Sequence, residues 1–399
     1  MNKTILVVGA GFGQLPAIKT AKDMGLTVVV VDKNPNAIGM PLANYAYPVD
    51  IIDFNGVLAI AKKHKIDGIV TMQSDLPVPT IGFVNDKLGL HGISFQTANA
   101  CSNKIKTRKL LKEKGCSQPA FEIVKDLPEI LEAVQSIGFP CIIKAPDSSG
   151  SRGVTKVNSI RDVENAFNEA FKYTKKDEII VEEYIDGLEL GAQAFSIDGK
   201  CKSVLLHSDI LSNPPYMIPI GHSFPFELLG EVKEQEAIND IKEAVEALGV
   251  SQGPTNVDLI FDLQEKKVKI IEIGARIGAT CLPELVKYYS GIDWVRQSIL
   301  SCLGEKVDLQ VKFSKPVTAF IIQSPQDGIL KSYKFPSFPD NKEKLLEYEI
   351  TAHIGDKVNK LRKGTDRIGK VIYYGATVQE SIDSCKDFIE HTEINIYEA

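Results

Sequence analysis

Short apolar runs alternate with segments of helical spacing in the first 95 residues, and this pattern most constrains the fold. The runs lie at 5–8, 26–31 and 68–71, and the helical segments at 15–24 and 54–64. Continuous apolar strands separated by helices are typical of a parallel sheet that is covered on both faces. Residues 1–95 are therefore predicted to form an open, doubly wound α/β domain.

The rest of the chain has a different pattern of helix and strand signals. Residues 97–115 have helical character, and strand patterns follow at 141–145, 179–184, 191–197 and 203–208. Two further strands, at 256–262 and 268–273, are joined by a polar turn and predict a β-hairpin. The last ninety residues carry short strand signals and one closing helix, so this part is predicted to be α+β.

Charge, hydropathy and cysteine usage exclude several classes of protein. The chain has 399 residues, 46 Lys and Arg against 52 Asp and Glu, and a net charge of −6, whereas nucleic-acid binders carry a basic excess. No uncharged apolar run approaches the roughly 18 residues of a membrane span. Seven cysteines without a CxxC pair favour reduced thiols over disulfides or a zinc cage, and predict a cytoplasmic location.

A glycine-rich turn between the first strand and the first helix invites a dinucleotide site. Gly9, Gly11 and Gly13 follow the strand, and Asp32 ends the second strand. The usual pattern is G-x-G-x-x-G, but the third glycine comes one residue early, with Gln14 in its place. A tight turn without a nucleotide is favoured, and an NAD-dependent oxidoreductase is kept as an alternative.

A second loop of small residues follows the strand at 141–145. It reads Ser148-Ser149-Gly150-Ser151-Arg152-Gly153. Such residues let backbone N–H groups approach phosphate oxygens, and Lys144 adds a point charge at the end of the strand. No GK[ST] follows, so this is not a Walker loop. A mobile surface loop is the alternative, and the lysine favours ATP.

Residues 181–189 form a strand that runs into an acidic turn. The end of such a strand offers backbone groups to an adenine edge and an acidic side chain to ribose hydroxyls. A solvated acidic turn is the alternative.

Two carboxylates interrupt the apolar strands of the predicted hairpin. Asp258 and Glu272 lie on its two strands, and an unpaired carboxylate among buried apolar side chains is costly. Paired carboxylates that hold Mg²⁺ against phosphate oxygens would offset that cost. Arg276 is a natural anion clamp. A buried ion pair with Arg276 is the alternative.

The histidines give no metal motif. Six histidines form neither HxH nor HExxH, so a histidine metal site is not expected, and no G-x-S-x-G elbow supports a serine hydrolase. His207 and His222 flank a Pro-rich segment at 212–225, which is predicted to be a functional loop.

In this order and at these distances, the segments resemble the ATP-grasp superfamily over nearly the whole chain. Residues 139–145 with 148–154 resemble the family's lysine strand and phosphate lid, and 181–187 its adenine hinge. The resemblance implies a preATP-grasp domain at 1–95, an ATP-grasp domain at 96–310 with a lid subdomain at about 120–190, and a C-terminal lobe at 311–399.

The resemblance also implies roles for individual residues. Lys144 and Arg276 would be catalytic, and Asp258 and Glu272 would hold Mg²⁺, with Mn²⁺ as a second choice. The residues implied in ATP binding are Lys104, Lys144, Ser148, Ser149, Gly150, Ser151, Arg152, Gly153, Glu182, Glu183, Tyr184, Ile185 and Glu189. The candidate substrate contacts are Asp75, His207, Tyr216, His222 and Arg276.

One position departs from the family pattern. The family usually reads E-x-N-x-R on the second metal strand, whereas this chain reads Glu272-Ile273-Gly274-Ala275-Arg276. Gly274 has no side-chain oxygen, so the resemblance leaves open whether one or two metal ions bind.

Most members of this superfamily join a carboxylate to an amine. The carboxylate attacks the γ-phosphate of ATP, and the amine then displaces phosphate from the acyl phosphate. A similarity of residues 213–216 and 221–223 to the substrate loop of amino-acid ligases favours a small substrate. The alternatives are a carboxylase-like enzyme that activates bicarbonate and a non-catalytic ATP-binding protein. The resemblance also implies a homodimer.

Overall fold

The computed structural model describes residues 3–148, 152–213, 218–227, 230–337 and 342–397. The strands are β1 Thr4–Val8, β2 Thr27–Val31, β3 Tyr45–Tyr47, β4 Gly68–Val70, β5 Phe121–Val124, β6 Cys141–Lys144, β7 Val154–Val157, β8 Ile179–Glu183, β9 Gly187–Ile197, β10 Lys200–Leu211, β11 Pro219–Phe224, β12 Gly253–Asp262, β13 Lys267–Gly274, β14 Val317–Gln323, β15 Gly328–Lys334, β16 Leu345–Ile350, β17 Lys357–Val358, β18 Arg367–Tyr374 and β19 Glu393–Tyr397. The helices are α1 Leu15–Asp23, α2 Phe54–His64, α3 Val78–Leu88, α4 Phe95–Cys101, α5 Lys104–Glu113, α6 Leu127–Ile137, α7 Val163–Lys172, α8 Gly230–Ala247, α9 Leu282–Ser290, α10 Trp294–Cys302 and α11 Val378–Glu390.

These elements fall into two compact units. Unit 1 comprises residues 1–204, 231–277 and 295–307, and unit 2 comprises 205–230, 278–294 and 308–399. Strand β10 begins in unit 1 and ends in unit 2. Among the helices of the described residues, none has both the length and the apolar character that crossing a bilayer requires. The seven cysteines are all free thiols. The division into three domains stays a prediction.

The N-terminal part of unit 1 is a parallel sheet. Its strand order is β3-β2-β1-β4, and every described pairing in it is parallel. The last four residues of β1 and of β2 are fully buried, because helices cover the sheet. Side chains cap the N-termini of α2 and α4. Asp53 accepts a hydrogen bond from Gly56 N–H, and Ser94 accepts one from Thr97 N–H.

The segment with the small-residue loop forms an antiparallel sheet with strand order β5-β8-β6-β7. Helices α6 and α7 pack on it around a core that includes Ile130, Ile143 and Val181. Strands β6 and β7 are direct antiparallel neighbours, and Lys144 pairs with Val154. The loop at 145–153 therefore closes a hairpin that begins at Lys144.

The carboxylates lie on a third group of strands in unit 1. Strand β12 pairs antiparallel with both β9 and β13, so the predicted hairpin is present. Asp258 and Glu272 are direct cross-strand partners, next to a register shift between Asp258 and Leu259. Antiparallel partners point to the same face of a sheet, so the two carboxylates stand side by side.

Unit 2 contains the end of β10 and the strands β11, β14, β18 and β16, each antiparallel to the next. Helix α11 covers this sheet through Cys385 and Phe388, which pack with Phe320 and Val371. A smaller sheet has the order β17-β15-β19. The α/β and α+β fold class predicted from the sequence is confirmed.

Candidate active site

The paired carboxylates on β12 and β13 are the centre of the candidate site in unit 1. Asp258 Oδ1 accepts a hydrogen bond of 2.8 Å from Asn256 Nδ2, and Glu272 Oε1 lies 3.1 Å from Lys104 Nζ. The Glu272 side chain is about one third exposed, at 36%. Carboxylate oxygens that stand together and remain accessible are the ligands that Mg²⁺ prefers.

Lys104 connects these carboxylates to the small-residue loop. It begins α5, which is capped by Asn103, and its backbone N–H donates to Pro146 O at 2.9 Å. Its Nζ donates to Ser148 O at 2.8 Å as well as to Glu272. Lys104 is thus held between the start of the loop and the second carboxylate.

Lys144, at the end of β6, belongs to a buried network of three charges. Glu182 on β8 lies 2.7 Å from Lys144 Nζ, and its other oxygen accepts a 2.6 Å hydrogen bond from Arg108 Nε. All three side chains are almost fully buried. Arg108 also donates to Ile270 O at 2.8 Å and to Ile271 O at 3.0 Å, directly before Glu272 on β13. It therefore contacts both β8 and β13.

Burial and neighbouring charges act differently on the pKa values of Lys144 and Glu182. Burial lowers the pKa of Lys144 to about 8, against a partial opposing effect of Glu182. Burial alone would raise the pKa of Glu182, but Arg108 and Lys144 outweigh it and lower the pKa to about 2. At neutral pH the carboxylate is therefore ionised, and Lys144 is still largely protonated.

Arg276 forms a bidentate ion pair with Asp75. Its Nε and Nη2 donate to the two Asp75 oxygens at 2.8 and 3.0 Å. Burial would lower the pKa of Arg276, but Asp75 raises it above the ordinary value, with smaller contributions from Asp258 and Glu272. Burial would likewise raise the pKa of Asp75, and Arg276 followed by Lys104 lowers it. Lys104 and both carboxylates thus lie within electrostatic range of this pair.

Gly274 leaves space for the Asp75 carboxylate. A Cβ atom at position 274 would lie 2.7 Å from Asp75 Oδ1, closer than real Cβ contacts. The carboxylate of Asp75 therefore stands where the family pattern places an asparagine side chain. The glycine at position 274 therefore provides the space in which Asp75 forms its ion pair with Arg276.

The predicted phosphate loop is described at its two ends. Ser148 Oγ donates to Arg152 O at 2.6 Å, and Gly153, with a positive φ of 64°, accepts the Ala145 N–H at 2.9 Å. A left-handed residue at 153 favours glycine. Ser149, Gly150 and Ser151 lie outside the described residues.

The predicted adenine hinge, residues 181–187, runs from the end of β8 to the start of β9. Glu183 exchanges two hydrogen bonds with Ala120, one of them through its side chain at 3.1 Å. Lys156 Nζ stands 3.4 Å from the ring centroid of Tyr184, Ile185 is buried, and Glu189 is exposed on β9. The Glu182 side chain points into the buried network with Lys144, so its carboxylate is engaged there.

The glycine turn at the N-terminus is closed by its own neighbours. Ala10 N–H donates to Asp32 Oδ2 at 2.8 Å, and Gly11 N–H donates to Gln14 Oε1 at 3.1 Å. Gln14 Nε2 in turn donates to Met72 O at 2.7 Å. The donors that would bind a pyrophosphate, and the carboxylate that would bind a ribose, are used inside the turn. This arrangement favours a tight turn over an NAD site.

His207 and His222 lie in unit 2, where they meet at Asp209. Their Nδ1 atoms are 3.0 and 2.7 Å from the same oxygen, Asp209 Oδ1. Tyr216 lies outside the described residues. The role of these residues as substrate contacts stays a prediction, as do the other assigned roles.

Three residues of these side-chain networks were not predicted from the sequence, although the spacing of two of them could have indicated their place. Arg108 follows Lys104 by four residues on α5, and so shares its helix face. Asp209 follows His207 by two residues on β10, which places both on one face of the strand. Gln193, which donates to Asn256 Oδ1 at 2.7 Å, left no signal, because its partner lies on another strand.

A family model described as an ATP-grasp domain matches residues 101–280. A formate-dependent phosphoribosylglycinamide formyltransferase of Saccharolobus solfataricus is 26% identical over 394 residues, which cover 96% of this chain and 95% of that protein. A protein of Sinorhizobium fredii is 25% identical over 275 residues, and that match spans 68% of this chain but only 56% of the relative.

Solved structures match over the full length of the chain. Phosphoribosylglycinamide synthetase from Anaerococcus prevotii has a TM-score of 0.84 at 28% identity, covering 100% of both chains. L-amino acid ligase from Bacillus licheniformis has a TM-score of 0.82 at 19% identity, covering 100% of this chain and 99% of that one. The biotin carboxylase domain dimer of Hydrogenobacter thermophilus 2-oxoglutarate carboxylase, in complex with MgADP, ADP and bicarbonate, has a TM-score of 0.81 at 18% identity, covering 99% and 91%.

These relatives confirm the predicted superfamily and the prediction of an ATP-dependent ligase. Members of the group bind adenine nucleotides with magnesium, as the Hydrogenobacter structure does. Residues 101–280 thus match an ATP-grasp domain, and the resemblance to the ATP-grasp superfamily is confirmed.

Proposed function

We propose that this enzyme joins a small carboxylate substrate to an amine through an acyl phosphate, and releases ADP and phosphate. The observation that carries the proposal is the grouping of Asp258 and Glu272 with the cations Lys104 and Arg276 in unit 1. Phosphoryl transfer requires positioning and charge neutralisation more than covalent chemistry by the protein. Anionic metal ligands surrounded by cations meet that requirement.

The donor set of Asp258 and Glu272 fits Mg²⁺. Both are carboxylates on facing positions of paired strands, and Glu272 retains an accessible side chain beside Lys104. Hard oxygen ligands suit Mg²⁺, and Mn²⁺ as a second choice. Bound there, the ion would neutralise phosphate charge. Whether one or two ions bind stays open at Gly274.

The cations of the chain itself would act on the phosphates and the substrate. Lys104 and Lys144 would offset the negative charge of the nucleotide, and residues 148–153 would cover it and exclude water. Residues 183–185 would hold the adenine through their backbone. Arg276, oriented by Asp75, would hold the substrate carboxylate or the phosphoryl group in transfer.

The bonds made and broken balance in two steps. A carboxylate oxygen of the substrate attacks the γ-phosphorus, and the bond from that phosphorus to the ADP oxygen breaks. The amine lone pair then attacks the acyl carbon, the acyl–oxygen bond to phosphate breaks, and the ammonium proton leaves to phosphate or solvent. Exclusion of water protects the acyl phosphate between the steps.

The chemistry of the carboxylate substrate has one rival within the fold. The Hydrogenobacter relative binds bicarbonate, so an enzyme that activates bicarbonate as carboxyphosphate is the second candidate. The two candidates differ in the substrates that ATP cleavage requires, which are a carboxylate and an amine for the ligase and bicarbonate for the carboxylase. A homodimer and a cytoplasmic location stay predictions.

The test is the release of ADP and phosphate from MgATP with pools of amino acids, amino sugars and bicarbonate, each pool then being divided. We expect turnover that needs both a carboxylate and an amine, and that is lost in Glu272→Ala and Lys144→Ala. Glu265→Ala and Lys106→Ala, at exposed positions of the same hairpin and of α5, are the matched controls and should keep wild-type turnover. Turnover with bicarbonate and one acceptor would favour the carboxylase, and turnover unchanged in both site variants would refute this active site.

The pKa of Lys144 predicts a basic limb in the pH profile. The ammonium is charged below about pH 8 and neutral above it, so binding of the nucleotide phosphates weakens as the pH rises through that value. We expect kcat/KM for ATP to fall with a midpoint near pH 8. In Lys144→Arg the guanidinium stays charged, and the limb should move upward, whereas Lys106→Arg should leave it in place. A limb that is unchanged in Lys144→Arg would contradict the assignment.

A further inference from the structure

Three side chains of types that can ligate a metal meet on one face of the sheet in unit 2. His207 and Asp209 are two residues apart on β10, and His222 on β11 is the direct cross-strand partner of Asp209. Alternate residues of a strand and paired residues of neighbouring strands share a face. One potential ligand atom from each residue lies within 4.8 Å of the other two.

The centre of this cluster is a mostly buried carboxylate flanked by two imidazoles. The Asp209 side chain is only 14% exposed, and the two histidines are more deeply buried. Burial alone would raise the pKa of Asp209, but the imidazoles hold it well below its ordinary range, while burial lowers the pKa of His207. After burial, the largest influences on the pKa of Asp209 come from these two histidines. A buried carboxylate whose main partners are imidazoles is a favourable place for a cation.

We propose that His207, Asp209 and His222 bind a divalent transition-metal ion of the Zn²⁺ or Co²⁺ class. Two imidazole nitrogens and one carboxylate oxygen are a ligand set for these ions, whereas Mg²⁺ prefers oxygen ligands throughout. Tetrahedral ligands at about 2.0–2.2 Å from Zn²⁺ lie roughly 3.3–3.6 Å apart. The pairs at 3.0 and 2.7 Å therefore need to open by less than about 1 Å.

Aromatic rings next to the cluster support a preorganised site. The Phe224 ring packs 5.2 Å from the His207 ring, and Tyr289 stacks on Phe224 at 5.3 Å. The rings of His207 and His222 are 5.2 Å apart, edge to face. Packing of this kind restricts the imidazole rotamers, and an apolar surround strengthens the attraction between an ion and its ligands.

A cluster without metal is the competing description. There His222 donates its Nδ1–H to Asp209 Oδ1, His207 Nδ1 lies 3.0 Å from the same oxygen, and the three residues serve only as a polar core. The inference does not depend on the proposed ligase activity, because the ligands lie in unit 2 and the test reads metal binding alone. With three protein ligands, one coordination position stays open, so a substrate role of either histidine is compatible with the site.

The test titrates Co²⁺ into the full-length chain after chelation, in saturating Mg²⁺ so that Asp258 and Glu272 are occupied. Visible d–d absorption and calorimetry should reveal one equivalent of tightly bound Co²⁺, and Zn²⁺ should displace it. Asp209→Asn and His222→Ala should each weaken binding at least tenfold. His391→Ala removes an exposed histidine beside Asp387, the matched pair in the same unit, and should bind as the wild type does. Far-UV circular dichroism confirms that each variant is folded.

Three outcomes would overturn the inference. The first is the absence of a stoichiometric Co²⁺ or Zn²⁺ site in the wild-type chain, which leaves the hydrogen-bonded cluster. The second is equal affinity in the wild type and in folded Asp209→Asn. The third is thiolate-to-cobalt charge-transfer absorption, which would assign the ion to a cysteine instead.

Discussion

Replacing Arg108 with methionine should destabilise unit 1 by about 3–5 kcal/mol, the usual cost of removing one partner of a buried ion pair. Glu182 would lose its 2.6 Å partner, and the carbonyls of Ile270 and Ile271 would lose their donors. The hydrophobic part of the arginine is retained by methionine, so the loss reports the charge and its hydrogen bonds. Urea unfolding followed by circular dichroism measures the free energy, and hydrogen exchange should rise in β6 and β8.

Lys109→Met is the control for this change. It removes one positive charge from the next position of the same helix, where the side chain is exposed, so its effect on stability should stay within about 0.5 kcal/mol. Equal stability of Arg108→Met and Lys109→Met would mean that the buried network contributes nothing net.

Gly274→Asn, which restores the usual family residue, should lower turnover by about 100-fold rather than raise it. The new Cβ would lie 2.7 Å from Asp75 Oδ1, so the Asp75 carboxylate must move and the bidentate contact with Arg276 must break. A displacement of about 1 Å in a positioning group can cost two orders of magnitude in rate. Steady-state release of ADP measures the effect.

A second substitution tests the cause of that loss. Asp75→Ala in the Gly274→Asn background removes the obstruction, so the double variant should recover part of the turnover relative to Gly274→Asn. Gly364→Asn, where an added Cβ meets nothing within 4 Å, should behave as the wild type does. If Gly274→Asn alone raises turnover, this chain lacks a metal-ligand side chain at position 274, and Asp75 does not compensate for that loss.

Local patterns predicted the parts of the fold and site that local chemistry determines. The N-terminal sheet was predicted from apolar runs such as 26–31, and the β12–β13 hairpin was predicted from two apolar runs around a polar turn. Asp258 and Glu272 were conspicuous because a carboxylate inside an apolar strand is costly. In each case the residues that determine the local structure are close to one another in the sequence.

The contacts that the sequence did not predict join distant segments. Asp75 and Arg276 are 201 positions apart, and Arg108 and Glu182 are 74 apart. Neither pair has a spacing rule, because tertiary packing alone brings the partners together. The histidines show the same limit, since motif searches read ligands from one element, whereas strand pairing joins His222 to Asp209 across 13 positions.

The division of the chain into interleaved units has a consequence for its synthesis on the ribosome. Unit 1 is completed only by residues 231–277 and 295–307, and two segments of unit 2, residues 205–230 and 278–294, are made in between. Glu272 emerges about 130 residues after Lys144, which at 5–20 residues per second is a delay of roughly 6–26 s. Throughout that interval the nascent chain carries Lys104 and Lys144 without Glu272. On the proposed assignment of these residues, we expect nucleotide to stabilise the growing polypeptide only after Glu272 has been made.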